Sequence, residues 1–274
     1  MNLGLYFRRY LPFTKASFSV ALAYRTHILL WIFANILEIF MMVMVWVAVY
    51  SSATTTTLYG FSLRDIIFYN IIMTLSSSMV FMMPLWDVAE DYFDGKIAMS
   101  LIKPIDYKTM VFFKNLGGNI FRNIMISFPI IVLMMILPII GIESIHPTLP
   151  QIGWFILSIV LGLWINFTSN FIFSLLVFKT EATFGLFQLN EIILRIFSGA
   201  LIPLAFFPDW ARIWILRFPY ASIQSTPTLI LLGRLENTYF KDAFLWQIFW
   251  AISLGLLSQY LWKKSVHSLK VLGG

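Results

Sequence analysis

WDVAEDYFDGKIAMSLIKPIDY, residues 86–107, decides how the rest of the chain is arranged. It is the most charged run in a very apolar sequence. Asp87, Glu90, Asp91 and Asp94 come first, followed by Lys96, Lys103, Asp106 and, just beyond, Lys108. Long apolar stretches lie on both sides, and a charged island between two membrane spans has to sit in water. In a helix, Asp87, Glu90, Asp91 and Asp94 fall at i, i+3, i+4 and i+7, which is one face. Val88, Tyr92, Phe93 and Ile97 take other angles. Gly95 ends the helix, and Lys96 suits its negative end. Pro104 blocks helix continuation after Lys103. The spacing predicts a compact acidic knob, a turn and a fixed re-entry into the membrane. Two readings of the knob stand: a short helix gripped by another protein, or an ordinary solvated loop.

Composition sets the class. Of 274 residues, 59% are hydrophobic and 12% charged, whereas a soluble domain carries about 25% charge. Mean hydropathy is +0.83. The chain reads as an integral membrane protein, and its Phe, Trp and Tyr content suits lipid contact and interfacial belts. With no cysteine, disulfides, zinc–thiolate sites and thiol chemistry are excluded. The net charge of +6 does not point to nucleic acid. The basic residues are scattered near span ends, where headgroups and the orientation rule account for them. No secretory signal is expected, because no apolar run directly follows Arg8, Arg9 and Lys15.

Residues 1–27 alternate apolar and basic positions, which predicts an amphipathic helix lying in the membrane interface. Six apolar segments follow, each near the roughly 20 residues that a bilayer requires. They are 28–50, 63–85 (closed by Pro84), 119–142 (entered through Gly117-Gly118), 151–178, 183–207 and 243–262. With the N-terminus inside, thirteen Lys and Arg fall on the inner side and five on the outer, with Arg195 inside a span. Both termini and the acidic knob are therefore expected in the cytoplasm. The outer loop 208–242 is long but not polar. Its apolar runs are too short to span and read as re-entrant or interfacial helices divided at Pro208, Pro219 and Pro227. One membrane domain, all α-helical, is the simplest organisation.

Enzyme motifs are missing. There is no G-x-x-x-x-G-K-[ST] for nucleotide and no H-E-x-x-H for zinc. His27, His146 and His267 sit at span ends rather than together, so no metal or catalytic site is expected. The chemistry left is intramembrane charge. Glu38 lies midway along the first span, and Glu191 and Arg195 stand one turn apart in the fifth. Ionisable groups at this depth face the protein interior and need partners. They either line a pathway or gate, or form a structural ion pair. Ser76, Ser77 and Ser78, and the face shared by Asn166, Asn170 and Ser174, either pack helices or contact substrate.

Assembled in order, these features resemble the membrane permeases of type-2 ATP-binding-cassette (ABC) exporters, in the six-span subgroup with a separate ATPase. The resemblance is carried by ALAYRTHILLWI (21–32), VAEDYFDGKIAMSLIKPIDY (88–107), SGALIPLAFFPDW (198–210) and the tail WKKSVHSLKVLGG (262–274). It implies that the loop between spans two and three is a coupling helix seated on the ATPase. Asp87, Glu90, Asp91, Asp94 and Lys96 would then make the contact. It implies a connecting helix over residues 5–25, and ATP and Mg bound on the partner ATPase with no cofactor in this chain. A second permease copy, identical or paralogous, would complete the pathway, and spans two and five would line it. That places Ser77, Asn190 and Glu191 near the pathway, beside Glu38 and Arg195. The setting implied is a bacterial cell membrane, with a hydrophobic or amphipathic substrate moved outward. A stand-alone ion-coupled carrier or channel using Glu38, Glu191 and Arg195 is the alternative, although no inverted repeat supports it.

Overall fold

The structure is a computed structural model, and it describes residues 8–139, 145, 147–180, 182–235 and 237–267. The first residues of the amphipathic segment, residues 143 and 144, His146 and the Gly-Gly tail lie outside the described residues, as do the side chains of His27 and His267.

The described residues are almost wholly helical. Helix α1 (Leu11–Ala23) and α2 (Arg25–Ser52) are separated by Tyr24 alone. A short antiparallel hairpin follows, β1 (Thr57–Leu58) and β2 (Phe61–Ser62). Its two turn residues, Tyr59 and Gly60, have φ of 48° and 79°, the left-handed pair that a two-residue hairpin needs. Ser62 and Asp65 then form a capping box that starts α3 (Leu63–Val80).

Span two is not one helix. The apolar stretch Leu63–Phe93 breaks at 81–83 and resumes as α4 (Pro84–Phe93). Pro84, expected to close the span, opens α4 instead. It occupies the first helical turn, where its missing N–H has no partner to lose, and it pushes the residue before it out of helix. Next come α5 (Lys96–Ile102), α6 (Tyr107–Arg122), a π-helical turn (Asn123–Ser127) and α7 (Phe128–Ile136). Span three was expected to start at Asn119, but the helix begins at Tyr107. Asp106 caps it through the Thr109 N–H at 2.8 Å. Gly117 is therefore mid-helix, and a Cβ there would collide with the Thr14 carbonyl oxygen. The missing side chain lets α1 cross α6.

The remaining helices are α8 (Leu149–Ser174), α9 (Val177–Thr180), α10 (Thr183–Phe197), α11 (Asp209–Ile215), α12 (Pro219–Leu231) and α13 (Asn237–His267). Five helices among the described residues are long and apolar enough to cross a membrane. The chain is an all-α membrane protein. The segment expected as span five is shorter. The 15 residues of α10 reach only ~22 Å at about 1.5 Å per residue. The chain from 183 to 207 nonetheless passes from one end of the bundle to the other. Leu186 and Phe187 pack near Leu85 and Val177, while the Gly199 carbonyl accepts from the Tyr69 hydroxyl at 2.9 Å and Phe206 lies against Trp46 and Tyr59.

The two ends of the bundle differ. One holds Tyr10, the 86–107 loop and the late part of α13, joined where Tyr107 stacks on Trp262 at 4.8 Å. The other holds the hairpin, with Arg234 paired to Asp65 and donating to the Gly60 carbonyl.

The segment expected as the long outer loop also departs from expectation. α11 is largely exposed, as an interfacial helix would be, but α12 is buried along most of its length. Pro227 lies within α12 rather than dividing it. α12 packs on α8, where a Cβ at Gly162 would approach the Ile223 carbonyl oxygen to 2.8 Å. Gln247 of α13 closes the group by donating to the Ser158 and Ser222 carbonyls. Small residues and buried side-chain amides hold helices together in lipid, where hydrophobic burial does not.

Candidate functional site

The acidic loop is a preformed helix–turn–helix. Gly95, at φ 68°, supplies the left-handed residue between α4 and α5, and α5 stops before extended Lys103, as Pro104 requires. The four carboxylates do not act as one free face. Asp87 pairs with Lys114 Nζ at 2.6 Å and accepts from Asn115 Nδ2 at 2.7 Å. Asp91 is buried and accepts from the Tyr107 hydroxyl at 2.8 Å. Those two fasten the loop to its own bundle. Glu90 and Asp94 point outward and share Lys96, at 3.1 and 2.6 Å. These hydrogen bonds, the one donated to Asp94 foremost, hold the Lys96 ammonium pKa above the usual lysine range. Around them the loop leaves Phe93, Met99 and Ile102 uncovered, Ile102 at 85% exposure. The outward surface is therefore mixed, with apolar side chains beside a compensated charge cluster.

A cavity of about 470 Å³ lies between α2, α3, α6 and α10. It brings together Glu38, Ser77, Glu191 and Arg195. Arg195 Nη1 meets Glu38 Oε1 at 2.9 Å, and its Nε stands 3.7 Å from Glu191 Oε2. The fifth expected pathway residue, Asn190, is elsewhere. It is buried against α8, donating to Asn170 Oδ1 at 2.6 Å. Asn166 and Ser76 likewise pack helices, Asn166 donating to the Val80 carbonyl and Ser76 accepting from Thr228.

The sequence gives Arg122 no site role, only a place on the inner side of the orientation count. Arg122 stands on the cavity wall with its guanidinium carbon 4.0 Å from the centroid of the Phe81 ring. Phe81 and Arg122 also line a second cavity of about 370 Å³, which opens beside Trp86, Asp87 and Lys114 of the loop region. The stacked pair is the partition between the two.

A polar stripe along α6 and the π-helical turn that follows it connects these parts. Asn115, Asn119, Asn123 and Ser127 recur every four residues, so they share one helix face. Asn115 Oδ1 accepts the Met83 N–H, and its amide holds Asp87. Asn119 Nδ2 reaches the Met79 and Phe81 carbonyls at 3.1 and 2.8 Å. Asn123 donates to Asn119, Ser127 donates to Asn123, and Ser127 meets Ser78. A broken helix frees carbonyls that lipid cannot satisfy, and this stripe satisfies them. It runs from the loop to the partition. The four-residue spacing was the signal available in the sequence.

No curated protein matches the chain. The family model described as ABC-2 family transporter protein matches residues 36–273, which covers all the spans' cores, the 86–107 loop and most of the cavity wall. The chain therefore belongs to the ABC-2 transporter family and is a multi-pass membrane permease of a type-2 ABC transporter, a transport component whose family membership implies an ABC ATPase partner.

Proposed function

We propose that this permease is the membrane half of an ATP-driven exporter of hydrophobic or amphipathic substrates in a bacterial cell membrane. The chain crosses six times, with 183–207 as the fifth crossing and both termini cytoplasmic. ATP and Mg are bound by a separate ATPase, which seats on the outward face of residues 86–107. Two permeases, identical or paralogous, stand side by side, and α2, which the rest of the chain leaves almost uncovered, faces lipid and the second copy. The observation that carries this reading is the two-sided loop. Asp87 and Asp91 bolt it to the bundle, while Glu90, Asp94, Lys96 and the apolar residues beside them are offered outward. A surface fixed on one side and uncovered on the other transmits a push.

The test is co-purification with the ATPase encoded beside this gene, comparing E90K/D94K with the wild type. Loss of the ATPase from the outward-facing variant, with the permease's melting temperature unchanged, is expected. Retention of the ATPase and of transport by that variant would sink the reading. The stand-alone carrier keeps one observation in its favour, the connected Glu38–Arg195–Glu191 cluster. It requires transport by the purified chain alone, without ATP and abolished by E191Q.

A further inference from the structure

The charges around the larger cavity are separated by sign. On one wall Arg195 serves two carboxylates, Glu38 and Glu191, at 2.9 and 3.7 Å, leaving a surplus of negative charge. On another wall Arg122 has no carboxylate within ion-pair distance among the described residues. Its Nε is buried without a hydrogen-bond partner. Glu191 and Glu38 attract the guanidinium across the cavity without touching it, and its close contacts among the described residues are rings, Phe81 at 4.0 Å and Trp31 at 5.6 Å from their centroids. Aromatic faces attract a cation but accept none of its hydrogen bonds. A desolvated guanidinium with free donors is costly in a membrane protein, and such a group marks a ligand or ion path.

We infer that this cavity takes the zwitterionic headgroup of an amphiphile, with the anionic group on Arg122 and the ammonium against the surplus charge of Glu38 and Glu191. The inference rests on the cavity being the substrate path and names the class of substrate. Arg122 presents its donors in the planar fork that suits phosphate or carboxylate. An anion alone would meet the surplus carboxylate charge as a repulsion, and a cation alone would leave Arg122 unserved. A headgroup with both signs satisfies the two walls together. At about 470 Å³ the space falls within the ~300–1,000 Å³ of small-molecule sites, enough for a headgroup and the start of a chain. The tail has a path, because Ile39 and Met42 of α2 and Ile192 of α10 line the cavity, and Ile192 is exposed at its edge.

The experiment is a binding titration on the purified full-length permease in a nonionic detergent, read by thermal shift and native mass spectrometry. Four probes are used: short-chain phosphatidylethanolamine, phosphatidylglycerol of the same chain length, dodecyltrimethylammonium, and free phosphoethanolamine. Phosphatidylethanolamine is expected to bind saturably and about tenfold tighter than each of the other three. R122Q should lower its affinity about tenfold, R122K should lose less, and E38Q should narrow the gap between the zwitterionic and anionic lipids. Equal affinity for phosphatidylglycerol would overturn the zwitterion assignment. Equal affinity for free phosphoethanolamine would reassign the site to a soluble solute. Unchanged affinity in an R122Q protein of wild-type unliganded melting temperature would remove Arg122 from the site. No ATPase is present in this titration, so selective binding stands even where ATP-driven transport fails, and that second failure would count against the exporter reading alone.

Discussion

Phe81 and Arg122 face each other across the boundary of two cavities, with the guanidinium carbon 4.0 Å from the ring centroid. Phe81 stands in the non-helical break of span two, and Arg122 at the end of α6, immediately before its π-helical turn. Both residues therefore sit where backbone geometry departs from a regular helix, the places where a helix is most easily re-aimed. Phe81 and Arg122 are the two residues that line both the loop-side cavity and the bundle cavity.

Removing the ring should open that partition. Because the chain contains no cysteine, a single Cys at position 77 in the bundle cavity reports access cleanly. In inside-out vesicles, F81A/S77C is expected to react with a membrane-impermeant thiol reagent about tenfold faster than S77C, because a ring of Phe size fills the gap. Equal rates would mean that Phe81 closes nothing.

The cap on the break is equally testable. Asn119→Ala leaves the Met79 and Phe81 carbonyls without their side-chain donor. An unsatisfied buried group costs about 1–3 kcal/mol, so the permease should melt several degrees lower. In the assembled transporter, ATP hydrolysis should persist while transport falls, because the link between loop and cavity is loosened and the ATPase seat is not. A fall in both to the same degree would make Asn119 a general stability residue.

Much of this architecture was legible in the chain. Hydropathy marks long spans because lipid allows little else, and the 86–107 island announces itself because charge is excluded from hydrocarbon. Gly95 and Pro104 punctuate the loop as read, since their effects are local. The break at 81–83 was not read, because a three-residue interruption in an unbroken apolar run has no hydropathy signature, and Pro84 stops one helix and starts another equally well. Placing the start of span three at Asn119 cut the asparagine stripe in two and hid its period. Arg122 was lost to an orientation count that gives a basic residue near a span end to the adjoining side of the membrane. The partner of Glu38 was beyond reach because Arg195 lies 157 residues away, and no local rule connects them.

Asp91 and Tyr107 give a test of the loop's inward side. Tyr107→Phe keeps the stack on Trp262 but removes the hydroxyl that serves the buried Asp91 carboxylate. The expected loss is about 1–3 kcal/mol, seen as a lower melting temperature. In the Y107F/D91N double variant part of that loss should return, because an amide is less costly to bury than a charge. Strict additivity of the two single effects would show that the hydroxyl and the carboxylate do not interact.

Arg195, Glu38 and Glu191 allow the charge arithmetic of the cavity to be checked by substitution. Arg195→Gln leaves two carboxylates facing the same space without their shared cation, whereas Glu38→Gln still leaves Arg195 beside Glu191. Like charges without a counter-ion are destabilising, and more so away from bulk water. R195Q should therefore lower the melting temperature and transport more than E38Q does. The reciprocal exchange E38R/R195E restores one opposite-charge contact but sets the new carboxylate at position 195 against Glu191, one helical turn away. It should recover part of the stability lost in R195Q, and adding E191Q should recover more. If E38Q proves the more damaging single change, the cluster is held from the α2 side, and the surplus of negative charge assigned to this wall is not there.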